Sequence, residues 1–170
     1  MQTALHIERG GGTAADKPHY ELIELLFFAY RDFVGDPDRI LEHYGFGRAH
    51  HRVLHFVNRN PGLTIAELLD ILRITKQSLN RVLKELLEQG YVEQRAGETD
   101  RRQRLLFATV QGGKLARDLA ELQTRRISRA LEEAGPEAGD AARRFLEAMI
   151  EPTDRSTVHR LSHSRAEDGA

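Results

Sequence analysis

The stretch from Thr75 to Thr109, TKQSLNRVLKELLEQGYVEQRAGETDRRQRLLFAT, constrains this chain more than any other. Leu79, Val82, Leu83, Leu86 and Leu87 recur at helical spacing, and Gly90 supplies a left-handed stop. At 100° per residue, Lys76, Gln77, Asn80, Arg81 and Lys84 gather away from that stripe, mostly in the first half of the helix. Alternation in Tyr91–Arg95, turn chemistry in AGET and a strand-like run from Arg104 to Val110 then predict a hairpin tipped by DRRQR. A helix with a polar leading end suits the wide major groove of duplex DNA. Arginines on a thin loop suit the narrow, negative minor groove.

The preceding residues strengthen this reading. Thr64-Ile65-Ala66-Glu67 is a capping box that opens a helix carrying Leu68, Leu69 and Leu72. Thr75 caps the next helix after a turn at Arg73-Ile74. Two helices across so tight a turn have helix-turn-helix spacing. The polar face alone could be ordinary solvated surface; the arginine hairpin behind it favours a winged helix-turn-helix. Asp100 is expected to hold one neighbouring guanidinium while another stays free.

Charge is distributed accordingly. The chain carries 25 Lys/Arg and 26 Asp/Glu, for a net −1. Thr75–Arg104 holds seven basic and five acidic residues, and the remainder eighteen and twenty-one. A local positive excess on an acidic molecule fits a site-specific regulator better than a general DNA coat. With no cysteine, disulfides and thiolate metal sites are excluded. No apolar run and no leader pattern point to a membrane, so a cytoplasmic protein is expected.

Elsewhere the chain reads as helices. Residues 1–17, with GGGTAAD, are expected to form a disordered arm. Residues 18–47 would hold a helix ending at Gly35 and a short second one opened by Asp36-Pro37-Asp38. Residues 48–112 would form the DNA-binding domain. Residues 113–150 would give a long helix broken at Gly135-Pro136, then a last helix carrying Phe145, Leu146, Met149 and Ile150. Residues 151–170 are expected to be a disordered tail. The predicted class is mainly α with a small β-hairpin wing, with the terminal helices pairing two copies so that their apolar stripes are covered.

The motifs LTIAEL, ITKQSLNRVLKELLEQGYV and DRRQRLLFATVQGG resemble the MarR (multiple-antibiotic-resistance regulator) family of bacterial transcription factors over roughly Leu22 to Ile150. Asp100, Arg102, Thr109 and Gly112 fall at that family's wing positions, and Ala108 replaces its usual leucine. The resemblance implies a homodimeric regulator, a repressor by the common mode, reading a pseudo-palindrome in double-stranded DNA. The expected DNA-binding residues are Thr75, Lys76, Gln77, Ser78, Asn80, Arg81, Lys84, Arg95, Arg101, Arg102 and Arg104. It also implies a pocket for a small aromatic or anionic effector, to which Phe27, Tyr30, His51, Arg52 and His55 could contribute. His51 and His55, four apart on one helix, lack the further ligands a zinc site needs, so no metal and no cofactor is expected. Activation from the same fold and a helical adaptor that binds no DNA are the competing readings. No phosphate loop, nucleophile elbow or carboxylate pair supports an enzyme.

Overall fold

The computed structural model describes residues 17–163; the expected arm, apart from Lys17, and the last part of the expected tail lie outside these residues. Helices α1 (Tyr20–Glu42) and α2 (Arg48–Arg59) precede a two-residue strand β1 (Leu63–Thr64). Then come α3 (Ile65–Leu72), α4 (Lys76–Glu88), strands β2 (Val92–Ala96) and β3 (Arg104–Ala108), and helices α5 (Val110–Ala134), α6 (Ala138–Met149) and α7 (Arg155–His163). The strands form one antiparallel sheet in the order β1-β3-β2.

Around that sheet lies a single cluster of buried residues: Leu41 and Phe46 before α2, Val53, Leu54 and Val57 on α2, Leu68 and Leu72 on α3, Leu79, Val82, Leu83 and Leu86 on α4, Leu106 on β3, and Leu115 and Leu119 on α5. Caps set the helix boundaries. The Thr64 hydroxyl accepts from the Glu67 N–H at 3.2 Å, while the Glu67 carboxylate accepts from the Thr64 N–H at 2.9 Å. Gly90, at φ +75°, turns the chain from α4 into the hairpin, as its place after the last apolar residue predicts.

Two expectations fail here. Gly35 and Pro37 do not divide the first helical region, because α1 runs unbroken through both. Proline in a helix interior removes one hydrogen bond and costs ~3 kcal/mol. Val34, Pro37 and Leu41 nevertheless share one buried face, so tertiary packing holds the helix across the proline. On its other side Asp36 takes two hydrogen bonds from the Arg126 guanidinium of α5, at 2.7 and 3.1 Å, and a further one from Arg39. The second correction is α7: part of the expected disordered tail is helical, with Leu161 buried. Its sequence is polar, but contacts distant in the chain hold it.

The terminal helices leave much apolar surface uncovered. Leu22, Ile23, Leu25, Leu26, Phe27 and Phe28 of α1 are exposed, as are Phe145, Leu146 and Met149 of α6. Among the described residues, no helix is long and apolar enough to cross a membrane.

Candidate nucleic-acid interface

Helix α4 is pinned by its leucines and presents the opposite face outward. Lys76, Gln77, Asn80, Arg81 and Lys84 are all exposed, while Leu79, Val82, Leu83 and Leu86 are buried. Thr75 is the N-cap; its hydroxyl accepts from the Ser78 N–H at 3.1 Å and donates to the Ser78 hydroxyl at 2.9 Å. Both hydroxyls are therefore engaged in holding the helix start. Lys84 lies 3.8 Å from Glu88, an exposed pair of little strength.

The acidic residues around α4 are turned to structural use. Glu85 meets His50 of α2, with Nε2 and Oε2 2.6 Å apart. The other ring nitrogen, Nδ1, accepts from the Gly47 N–H at 3.1 Å, so the ring proton sits on Nε2 and is donated to the carboxylate. The ring stacks on Phe46 with centroids 4.7 Å apart, and Phe46 meets Tyr91 edge-on at 5.2 Å. His50 thus ties the recognition helix to α2. A partner 35 positions away gives no local signal, and sequence reasoning missed this one.

In the hairpin, Val92↔Ala108 through Ala96↔Arg104 are paired, and the tip spans residues 97–103. Asp100 does not hold a guanidinium as expected. Its Oδ1 accepts from the Arg102 backbone N–H at 2.9 Å, closing the turn, because the tight tip brings that N–H nearer than either arginine head. No ion pair among the described residues involves Arg101, Arg102 or Arg104, so three guanidiniums stand exposed on the wing. Arg95 differs: it pairs with Glu93 and lies over the Phe107 ring, 4.3 Å from its centroid. Stacking of that kind braces the wing.

The remaining wing residues that carry the resemblance are scaffold. Thr109 caps α5, accepting from the Gly112 N–H at 3.1 Å and donating to the Gly90 carbonyl at 2.6 Å. Gly112 lies so close to Tyr91 that a Cβ there would sit 1.8 Å from the Tyr91 carbonyl oxygen. Only glycine allows α5 to start against the exit of α4. Ala108 packs partly buried against the core.

A separate cavity of about 420 Å³ lies between α1, α2 and α5, lined by Tyr30, Phe33, Val34, Arg48, His51, Arg52, His55, Phe56 and Gln123. It gathers Tyr30, His51, Arg52 and His55 from the expected effector set; Phe27 lies on the exposed face of α1 instead. Burial holds the imidazoles of both His51 and His55 below the ordinary histidine value; the charge of His55 adds to this at His51, and that of Arg59 at His55. Arg48 donates to Asp38 Oδ2 at 2.8 Å, while the buried Asp38 Oδ1 has no donor. No three His, Cys, Asp or Glu side chains among the described residues form a metal-binding group.

A recognition helix after a tight turn, followed by an arginine-bearing antiparallel hairpin, defines a winged helix-turn-helix protein. Solved structures share the fold: MarR (TM-score 0.63, 21% identical, covering 88% of this chain and 99% of that one) and Streptococcus pneumoniae FabT in complex with DNA (0.69, 16%, 78% and 94%). The sequence model of the MarR family matches residues 44–103. The HTH-type transcriptional regulator PetP of Rhodobacter capsulatus is 52% identical over 133 residues, 78% of this chain and 80% of that protein. This chain belongs to the MarR family.

Proposed function

We propose that the protein is a sequence-specific transcription regulator that binds a pseudo-palindromic operator as a homodimer and represses by occupying it. One observation carries this: α4 offers an exposed Lys76-Gln77-Asn80-Arg81 face, and the hairpin behind it offers three unpaired arginines. Gln77, Asn80 and Arg81 have the donors and acceptors to read base edges, and Lys76 and Lys84 suit phosphates. Arg101, Arg102 and Arg104 suit the flanking minor groove. The PetP relationship and the DNA complex of FabT support the DNA-binding reading.

A second copy would cover the exposed apolar faces of α1 and α6, giving residues 18–47 and 113–150 their role as dimerisation helices around the 48–112 reading domain. Two reading heads would then address half-sites about one helical turn apart. The 420 Å³ cavity joins α1 and α5 to α2, and its Tyr30, Phe56 and Arg52 suit a small aromatic or anionic effector that changes the spacing of the heads.

Selection of bound duplexes from a random pool, followed by competition with operator variants, tests this. Gln77→Ala and Arg81→Ala are expected to relax sequence preference, while Lys76→Ala weakens all duplexes alike. Equal loss on operator and random DNA for the first two would remove the base-reading role. Absence of any selected motif would favour the adaptor reading.

A further inference from the structure

The turn between α3 and α4 carries a feature that the DNA-binding residues named above do not include. Arg73 caps α3 at φ 48°, ψ 45°, the one non-glycine residue with positive φ among the described residues. That conformation is usually left to glycine or asparagine. An arginine there, two positions before the N-cap of α4, brings a long cationic side chain to the mouth of the recognition helix. Its side chain is 67% exposed.

The Arg73 guanidinium is occupied from far along the chain. Its Nη2 donates to both oxygens of Asp154, at 2.8 and 2.9 Å, across 81 positions. Asp154 directly precedes α7, and its backbone carbonyl accepts the first helical hydrogen bond, from Val158. Next to it, Arg155 donates to the carbonyls of Ile150 and Ala148 at the end of α6. The segment is therefore fastened to α6 at one end and to the helix-turn-helix at the other. Beside it Leu69, Ile71, Val158 and Leu161 border a cavity of about 850 Å³.

We propose that Arg73 is a DNA-phosphate ligand held in reserve by Asp154, so that the segment leading into α7 is a latch that lowers affinity for DNA. The proposal rests on the DNA-binding reading above. A backbone phosphate at the edge of the major groove offers the guanidinium the same chemistry as the carboxylate, one negative charge over two oxygens, within a row of like charges that reinforces it. The pair is solvent-exposed, and such pairs are weak enough for an arriving phosphate to displace. Opening the latch gains a phosphate contact.

The test is operator affinity of the full chain across a salt series, for the wild type, Asp154→Asn, Arg73→Gln and the double variant. Asp154→Asn is expected to bind roughly two- to fivefold more tightly. Its dependence on salt should steepen by about one counterion per Arg73 engaged. Arg73→Gln should lose that gain, and adding Asp154→Asn to it should change nothing further. Asp154→Ser repeats the test with a smaller side chain, and thermal melting checks that each variant is folded. Unchanged affinity in both Asp154 variants overturns the latch, as does a gain that persists without Arg73, which would report mere loss of negative charge. A folded wild type that binds no duplex overturns the DNA-binding reading, and the latch with it.

Discussion

Helices α4 and α6 are nearly equal in length, 13 and 12 residues, and both carry an apolar stripe opposite a polar face. Their fates differ. Leu86 of α4 is 0% exposed, whereas Leu146 of α6 is 54% exposed. Helix α4 finds its counterparts within the chain, in α2, β2 and the core around Leu54 and Leu106. Helix α6 has no buried residue at all. Within this chain the winged domain covers its own apolar residues, and α1 and α6 leave much of theirs exposed. An apolar stripe specifies that a helix will be covered, but not by which chain.

The largest expected effects separate those two regions. Leu146→Asp would place an unpaired carboxylate in the proposed dimer interface, at a cost on the order of 3–5 kcal/mol. Sedimentation should show monomers at concentrations where the wild type is dimeric, and operator binding should be lost although no DNA contact is touched. A dimer surviving Leu146→Asp would mean that the apolar stripe of α6 lies outside the subunit contact. Gly112→Ala strikes the reading head instead. Its Cβ would be driven into the Tyr91 carbonyl, and the expected cost is on the order of 3 kcal/mol, independent of protein concentration. Wild-type stability in Gly112→Ala would mean that α5 can shift away from Tyr91.

These regions also differ in how legible they were. The caps at Thr64 and Thr75 involve partners three residues away, so the sequence alone locates the starts of α3 and α4, whereas the cap at Thr109 lies inside the run expected to be a strand. The polar face of α4 follows from periodicity in the same way. Long-range partners leave no such trace. Pro37 looks like a helix start until the Val34-Pro37-Leu41 face meets its neighbours. The helix α7 depends on Arg73 and on burial of Leu161, and His50 matters only because Glu85 comes to it. The Asp100 misreading has a different cause. Side-chain charge suggested an ion pair, but in a tight turn the nearest donor was a backbone N–H.

A smaller effect is expected in the wing. Arg102→Ala removes a free guanidinium from a tip whose shape is held by the Arg102 backbone N–H and Asp100, which the substitution spares. Stability should be unchanged, operator binding weaker by about 1–3 kcal/mol, and the salt dependence shallower. Arg95→Ala is expected to act the other way round, loosening the wing through loss of its contacts with Phe107 and Glu93. Unchanged affinity in a folded Arg101→Ala/Arg102→Ala double variant would rule the wing out as a DNA contact.

The smallest expected effect concerns the cavity at the seam of the two regions. His51 and His55 have folded values below the ordinary 6.5, chiefly because burial disfavours the charged ring. The unfolded chain therefore binds protons more readily than the folded one over this range. Stability from these two groups is fully present above about pH 6.5 and is lost as pH falls through their lower folded values. Asp36 does not confuse the measurement: hydrogen bonding from Arg126 holds its carboxyl below the ordinary 3.8, so it titrates at more acid pH. Urea unfolding at a series of pH values from about 7.5 down to about 5 should show a shallow fall beginning near 6.5. The double variant His51→Gln/His55→Gln should flatten that fall without changing the slope with denaturant. An equally steep fall in the variant would assign the acid sensitivity elsewhere and leave the seam without a titrating role. If the fall does flatten, an anionic effector in the cavity should raise both histidine values, binding more tightly as pH drops, because protonated imidazoles would then face its charge.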